Sequence, residues 1–180
     1  SEEGIIKGLY KFKSCNNPQV RLVGSGSILR ESIKAAKLLQ NYGIDSEVWS
    51  ATSFNLLRKE GMEVERENQL NPTLEQKTSY VSECFNDSDI PIIATTDYMR
   101  SYAEQIRPYI TSQYTVLGTD GFGRSDSREK LREFFEIDSS SITRAAAYSL
   151  FKENKIDKVM LEKIYNDMNI DASKPNPWEV

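Results

Sequence analysis

The chain has 180 residues, of which 38% are hydrophobic and 28% charged, with 23 Lys and Arg set against 27 Asp and Glu for a net charge of −4. This length suits one domain, large enough to fold around a core without disulfide or metal staples. No apolar run is long enough to span a bilayer, and the acidic balance lacks the basic stripe of a nucleic-acid binder. The sequence contains no histidine, which excludes Ser-His-Asp and Cys-His catalytic sets, HExxH zinc sites and Cys/His fingers.

Its two cysteines, Cys15 and Cys84, form no CxxC pair and read as reduced thiols of a cytoplasmic protein. The start Ser1-Glu2-Glu3-Gly4 carries no initiator Met and no signal-peptide pattern. An excised domain or a processed product is therefore expected.

Gly4-Ile5-Ile6-Lys7-Gly8 reads as the end of a linker, and Leu9-Tyr10-Lys11-Phe12 alternates like a short strand. Val20-Arg21-Leu22-Val23 reads as a strand, followed by a tight turn at Gly24-Ser25-Gly26-Ser27. A helix is expected over residues 28–41, with Leu29, Ile33, Ala36 and Leu39 keeping the 3.6 period, Ser27 as N-cap and Gly43 as terminator. Ser46-Glu47-Val48-Trp49-Ser50 is the next strand, after which Ser53 caps a helix through Phe54 and Leu57.

Gly61 interrupts a charged stretch, and Thr73 with Gln76 fits a capping box. Residues 90–95 form the clearest buried strand, an apolar run that implies cover on both faces. A helix over residues 99–106 is limited by Pro108, and Tyr114-Thr115-Val116-Leu117 is the last strand. Asp126 is expected to cap the following helix, with Glu129 at its third position. Two further helices carry Ile142, Ala146 and Leu150, then Ile156, Met160, Ile164 and Met168; Asp157 favours the start of the second through the helix dipole. Residues 175–178 read as an irregular tail. Strands alternating with helices indicate a mostly parallel sheet covered on both faces, with the loops after residues 23, 50, 95 and 117 at one edge.

Three loops at that edge are candidate sites. Gly24-Ser25-Gly26-Ser27 lacks the third glycine of a dinucleotide fingerprint, Leu29 standing in its place, and reads as a tight turn able to meet an anion. Asp120-Gly121-Phe122-Gly123-Arg124-Ser125, continuing to Arg128, sets two glycines and two arginines at a helix start. Such a loop either nests an anion or is fixed against a partner subunit. Asp97-Tyr98 follows a strand end, where α/β enzymes place catalytic groups, but no partner acid, base or metal-ligand cluster stands near it in sequence, and helix capping explains the aspartate. The residues thus describe an α/β domain without a complete catalytic set.

Val20-Arg21-Leu22-Val23-Gly24-Ser25-Gly26-Ser27-Ile28-Leu29-Arg30, Val48-Trp49-Ser50-Ala51-Thr52-Ser53-Phe54 and Thr95-Thr96-Asp97-Tyr98-Met99 resemble the homodimeric, thiamine-diphosphate-dependent pyruvate dehydrogenase components. The stretch from Val116-Leu117-Gly118-Thr119-Asp120 to Ser127-Arg128-Glu129 is the most specific part of that likeness, which runs in order along nearly the whole chain. It points to the family's carboxyl-terminal, transketolase-like third domain, and so implies a three-layer α/β/α sandwich with a five-stranded, mostly parallel sheet. Residues 1–18 would then be a lead-in from an upstream domain and residues 19–180 the domain itself.

The resemblance further implies a homodimer that decarboxylates pyruvate and reductively acetylates lipoyl groups of a dihydrolipoyl acetyltransferase core. Thiamine diphosphate and Mg would be bound by the upstream domains. No catalytic, cofactor or metal residue is then expected in this chain, and the isolated fragment should be inactive. Where the family carries a His-His pair, this chain has Glu133-Phe134, so no histidine role carries over. The alternative is a free-standing α/β module that binds a small anion through residues 24–27 and 121–127. Neither reading involves nucleic acid or a membrane.

Overall fold

The computed structural model describes residues 2–121 and 123–180. Its order is α1 (Glu2–Lys7), β1 (Leu9–Lys13), β2 (Val20–Ser25), α2 (Leu29–Gln40), β3 (Ser46–Ala51), α3 (Phe54–Leu70), α4 (Tyr80–Phe85), β4 (Ile92–Thr95), α5 (Arg100–Glu104), β5 (Tyr114–Leu117), α6 (Arg128–Phe134), α7 (Ser139–Lys152) and α8 (Lys158–Asp167). The sheet runs β1-β3-β2-β4-β5, with only β1 antiparallel to its neighbour.

Period-two alternation in the strands separates two cores. Val20, Leu22, Val48, Ile93 and Leu117 face α2 and α7, where Ala35, Leu39, Ile142, Ala146 and Leu150 meet them. Val23, Trp49, Ile92, Ala94 and Val116 face the opposite layer, with Phe54, Leu57, Phe85 and Ile106. Both faces of the central strands are covered, as the apolar run in β4 required. The result is the expected α/β/α sandwich with a five-stranded, mostly parallel sheet.

Local signals set most boundaries. Gly43 has φ 74°, and Ile44 N–H returns to the Leu39 carbonyl, closing α2 as a glycine C-cap. Ser53 Oγ accepts from Leu56 N–H at the start of α3. Asp157 Oδ1 accepts from Met160 N–H, so it caps α8 directly.

Several expectations are corrected. The segment from Gly4 to Gly8 is not irregular: residues 2–7 form α1, and Gly8 turns at φ 101° against Ser53, where a Cβ would meet the carbonyl oxygen at 2.7 Å. Gly61, within the charged stretch, lies inside α3 against the Tyr109 ring, leaving no room for a side chain. The capping-box pattern at Thr73 starts no helix, because little apolar periodicity follows it, and α4 is capped instead by Ser79. Asp126 does not cap α6; Ser127 does, its Oγ accepting from Lys130 N–H. The carboxyl-terminal tail ends in a 3-10 turn at Pro177–Glu179, with Pro177 buried.

Candidate functional site

In the sheet order, β2 lies between β3 and β4. The chain leaves β2 toward β3 through α2 on one face, and leaves β4 toward β5 through α5 on the other. The two crossovers therefore diverge at the carboxyl ends of β2 and β4, and a crevice opens between them. A cavity of roughly 400 Å³ lies there, lined by Ser27, Asp97, Thr119, Gly121, Gly123 and Arg124, with Arg128, Leu131, Arg132, Phe135 and Ile137 completing the wall.

The three candidate loops converge on this one place. Ser27 is not the N-cap of α2; β2 extends to Ser25, a 3-10 turn at Gly26–Ile28 follows, and the Ser27 hydroxyl is left free to work across the crevice. Ser27 Oγ donates to Asp97 Oδ2 at 3.4 Å and accepts from Arg132 Nη2 at 3.4 Å. Gly26 holds φ 59° with open space around it. Gly24 serves packing: a Cβ there would lie 2.6 Å from the Leu29 Cα, so α2 can rest directly on the strand. Ser25 is half-buried at the end of β2.

Asp97 does not cap α5, whose N-cap is Met99. Its backbone carbonyl accepts from the Thr119 hydroxyl at 2.9 Å, tying the β4 loop to the β5 loop. Asp120 does the capping from outside the helix: its Oδ1 accepts from Arg100 N–H at 3.2 Å. Tyr98 stays out of the cavity, 60% exposed, with its ring 5.4 Å from that of Tyr102.

Gly121 and Gly123 line the wall, and Arg124 stacks over the Phe134 ring at 4.1 Å. Ser125 faces a neighbouring hollow of about 210 Å³ shared with Arg124, Asp126 and Lys130. Phe122, also a candidate, lies outside the described residues.

Sequence reading missed Arg132, Thr119 and the apolar floor of Leu131, Phe135 and Ile137. Arg132 had a signal: it stands four residues after Arg128, which puts both guanidiniums on one face of α6. Among the described residues, no group of three acidic or cysteine side chains converges as a metal site.

This geometry defines an α/β domain with a mostly parallel sheet and its crevice at the topological switch point. The chain belongs to the transketolase-like C-terminal domain family, whose family model matches residues 8–138. It is 46% identical, over 99% of its length, to the pyruvate dehydrogenase E1 component of Cupriavidus necator, and 50% identical over 99% to that of Pseudomonas aeruginosa. The corresponding protein of Escherichia coli K12 is 46% identical over 98%. The chain spans about a fifth of the length of these relatives, 21%, 21% and 20%.

Among solved structures, a Pichia stipitis transketolase superposes with a TM-score of 0.60 at 19% identity, covering 86% of this chain and 20% of that one. Transketolase from Leishmania mexicana gives 0.60 at 20% identity, over 84% of this chain and 19% of that one. At these identities the likeness is one of fold.

Proposed function

We propose that this chain is the C-terminal domain of a pyruvate dehydrogenase E1 component, serving dimerisation and support rather than catalysis. The parent enzyme would decarboxylate pyruvate and reductively acetylate the lipoyl groups of its acetyltransferase partner. The observation that carries this reading is the identity of 46–50% with named E1 components along almost the entire chain. Thiamine diphosphate and magnesium belong, in this reading, to the remaining part of the protein. Bound elsewhere, the cofactor supplies the carbanion stabilisation, and residues of this domain hold the surfaces on which the rest of the enzyme rests.

Exposed apolar side chains support a bracing role. Tyr98, Met99, Tyr102 and Trp178 are 40–60% exposed beside the carboxyl edge, and Ile5 and Ile6 are exposed on α1. Apolar surface of this kind is commonly covered by another protein surface.

The test compares the full-length enzyme of this gene with a version ending before residue 1. The full-length protein is expected to sediment as a dimer and to acetylate a lipoyl domain from pyruvate, while the truncated one loses the dimer. The 180-residue chain supplied with thiamine diphosphate and magnesium is expected to release no CO2 from pyruvate. A truncated protein that stays dimeric and active would overturn the bracing role, and pyruvate turnover by the 180-residue chain would overturn the non-catalytic one.

A further inference from the structure

We infer that the switch-point cavity is a binding site for a phosphate ester carrying an apolar or aromatic group. Three arginines, Arg124, Arg128 and Arg132, line it together with one acidic residue, Asp97. Among the described residues, Arg124 and Arg128 form no ion pair, and Arg132 meets only the Ser27 hydroxyl at 3.4 Å.

Three cations gathered around one cavity without matching carboxylates repel one another, and an anion relieves that repulsion. Guanidinium groups favour planar, bidentate contacts with phosphate oxygens. The excess positive charge matches a phosphate monoester, which carries about −1.5 to −2 at neutral pH, better than a singly charged carboxylate.

The apolar part of the lining sets the rest of the ligand. Leu131 is half-buried, and Phe135 and Ile137 are buried at 8% and 2% exposure, so they form an apolar floor beside the charged rim. The volume of roughly 400 Å³ lies within the range of small-molecule sites. Ser27 is already held between Arg132 and Asp97, so a hydroxyl waits at the rim as well.

The cavity shares the carboxyl edge with the surface assigned to bracing, and equilibrium binding to the 180-residue chain tests it without any enzymatic assay. Both faces of the sheet are covered within these 180 residues, which makes the chain itself a self-contained folding unit for the measurement. The probe is phenyl phosphate, titrated calorimetrically and by amide chemical-shift mapping, with benzoate in parallel.

Saturable binding is expected, with shifts centred on Thr119, Leu131 and Arg132, and at least tenfold weaker binding in Arg128→Gln and in Arg132→Gln. Arg128 is exposed, so its variant should fold normally; circular dichroism checks both proteins. Lys37→Gln, on the outer face of α2, should bind as the parent does. Absence of saturable binding, or binding that survives both arginine variants, would overturn the site. Benzoate binding as tightly as phenyl phosphate would overturn the assignment to phosphate.

Discussion

Arg21 and Glu47 form a nearly buried ion pair across neighbouring parallel strands, with Arg21 Nε donating to Glu47 Oε2 at 3.0 Å and both side chains at most 6% exposed. The other two guanidinium nitrogens of Arg21 are also engaged, Nη1 with the Phe85 carbonyl at 2.8 Å and Nη2 with Asp87 at 2.6 Å. Glu47 accepts further from Trp49 Nε1 at 3.0 Å and pairs with Lys11 at 3.1 Å, so the cluster binds β1, β2 and β3 to the end of α4. Removing one partner strands the other's charge in a low-dielectric site. Arg21→Met alone is expected to cost about 3–5 kcal/mol in urea unfolding, whereas replacing both Arg21 and Glu47 by apolar residues should recover most of that loss. A single variant as stable as the parent would show that Glu47 finds full compensation without Arg21.

The same carboxylate sets an acid limit. Burial on its own would push the Glu47 carboxyl up, but hydrogen bonds from Trp49, Arg21 and Lys11 outweigh it and hold the group below its ordinary value. Folding therefore favours the ionised form. Its stabilisation is complete above about pH 4.3, the ordinary glutamate value, and is lost as pH falls through the lower folded value. The stability gap between the parent and Glu47→Gln should be widest near neutrality and narrow below about pH 4.3. A gap that widens as acid is added would contradict this.

Gly24 couples the fold to the crevice. Because a Cβ at this position would fall 2.6 Å from the Leu29 Cα, a backbone atom, Gly24→Ala must push the start of α2 off the sheet. Overpacking of this kind costs about 1–3 kcal/mol. Ser27 lies between Gly24 and Leu29, so the displacement should also weaken phenyl phosphate binding. Chemical denaturation and the same titration measure both effects; unchanged stability would mean that α2 yields freely.

What the sequence revealed and what it hid follow the range of the forces involved. The strands beginning at Val20 and Tyr114, the Ser53 cap and the Gly43 terminator are local features, written in neighbouring residues, and they stand where expected. The cap of α6 was misplaced by one residue because Asp126 and Ser127 are both good cap types, and only the backbone path decides between them. The reason for a glycine at position 61 was hidden because its partner, the Tyr109 ring, lies far along the chain. The three candidate loops were found separately, yet nothing local joins Ser27 to Asp97 or to Arg132. That convergence depends on the strand order β3-β2-β4, which alternation alone does not specify.

Asp120 acts on α5 at a distance in sequence. It takes the Arg100 N–H that Met99, a residue without a capping oxygen, leaves free. Its other oxygen lies 3.7 Å from Arg100 Nε. Asp120→Ala is expected to cost about 1 kcal/mol, as loss of a helix cap does. For a chain of this size that lowers the melting temperature by roughly 2–4 °C. Asp120→Asn, which keeps an accepting oxygen, should lose less. Equal losses in the two variants would indicate that the charge on Arg100, rather than the cap, is what matters.

Asp97 is the one carboxylate in the wall of the arginine-lined cavity, and it opposes the anion inferred there. Its side chain is exposed, so solvent screens it, and the penalty it imposes should be near the about 1 kcal/mol expected for two charges close together in water. Asp97→Asn keeps an oxygen for the Ser27 hydroxyl while removing the charge. Phenyl phosphate should therefore bind about fivefold more tightly to this variant, and added salt should narrow the difference. The change would run opposite to that of Arg128→Gln, although both substitutions alter one charge in the same wall. Weaker binding in Asp97→Asn would place the ligand's positive or hydrogen-donating part, rather than its phosphate, against this side of the crevice.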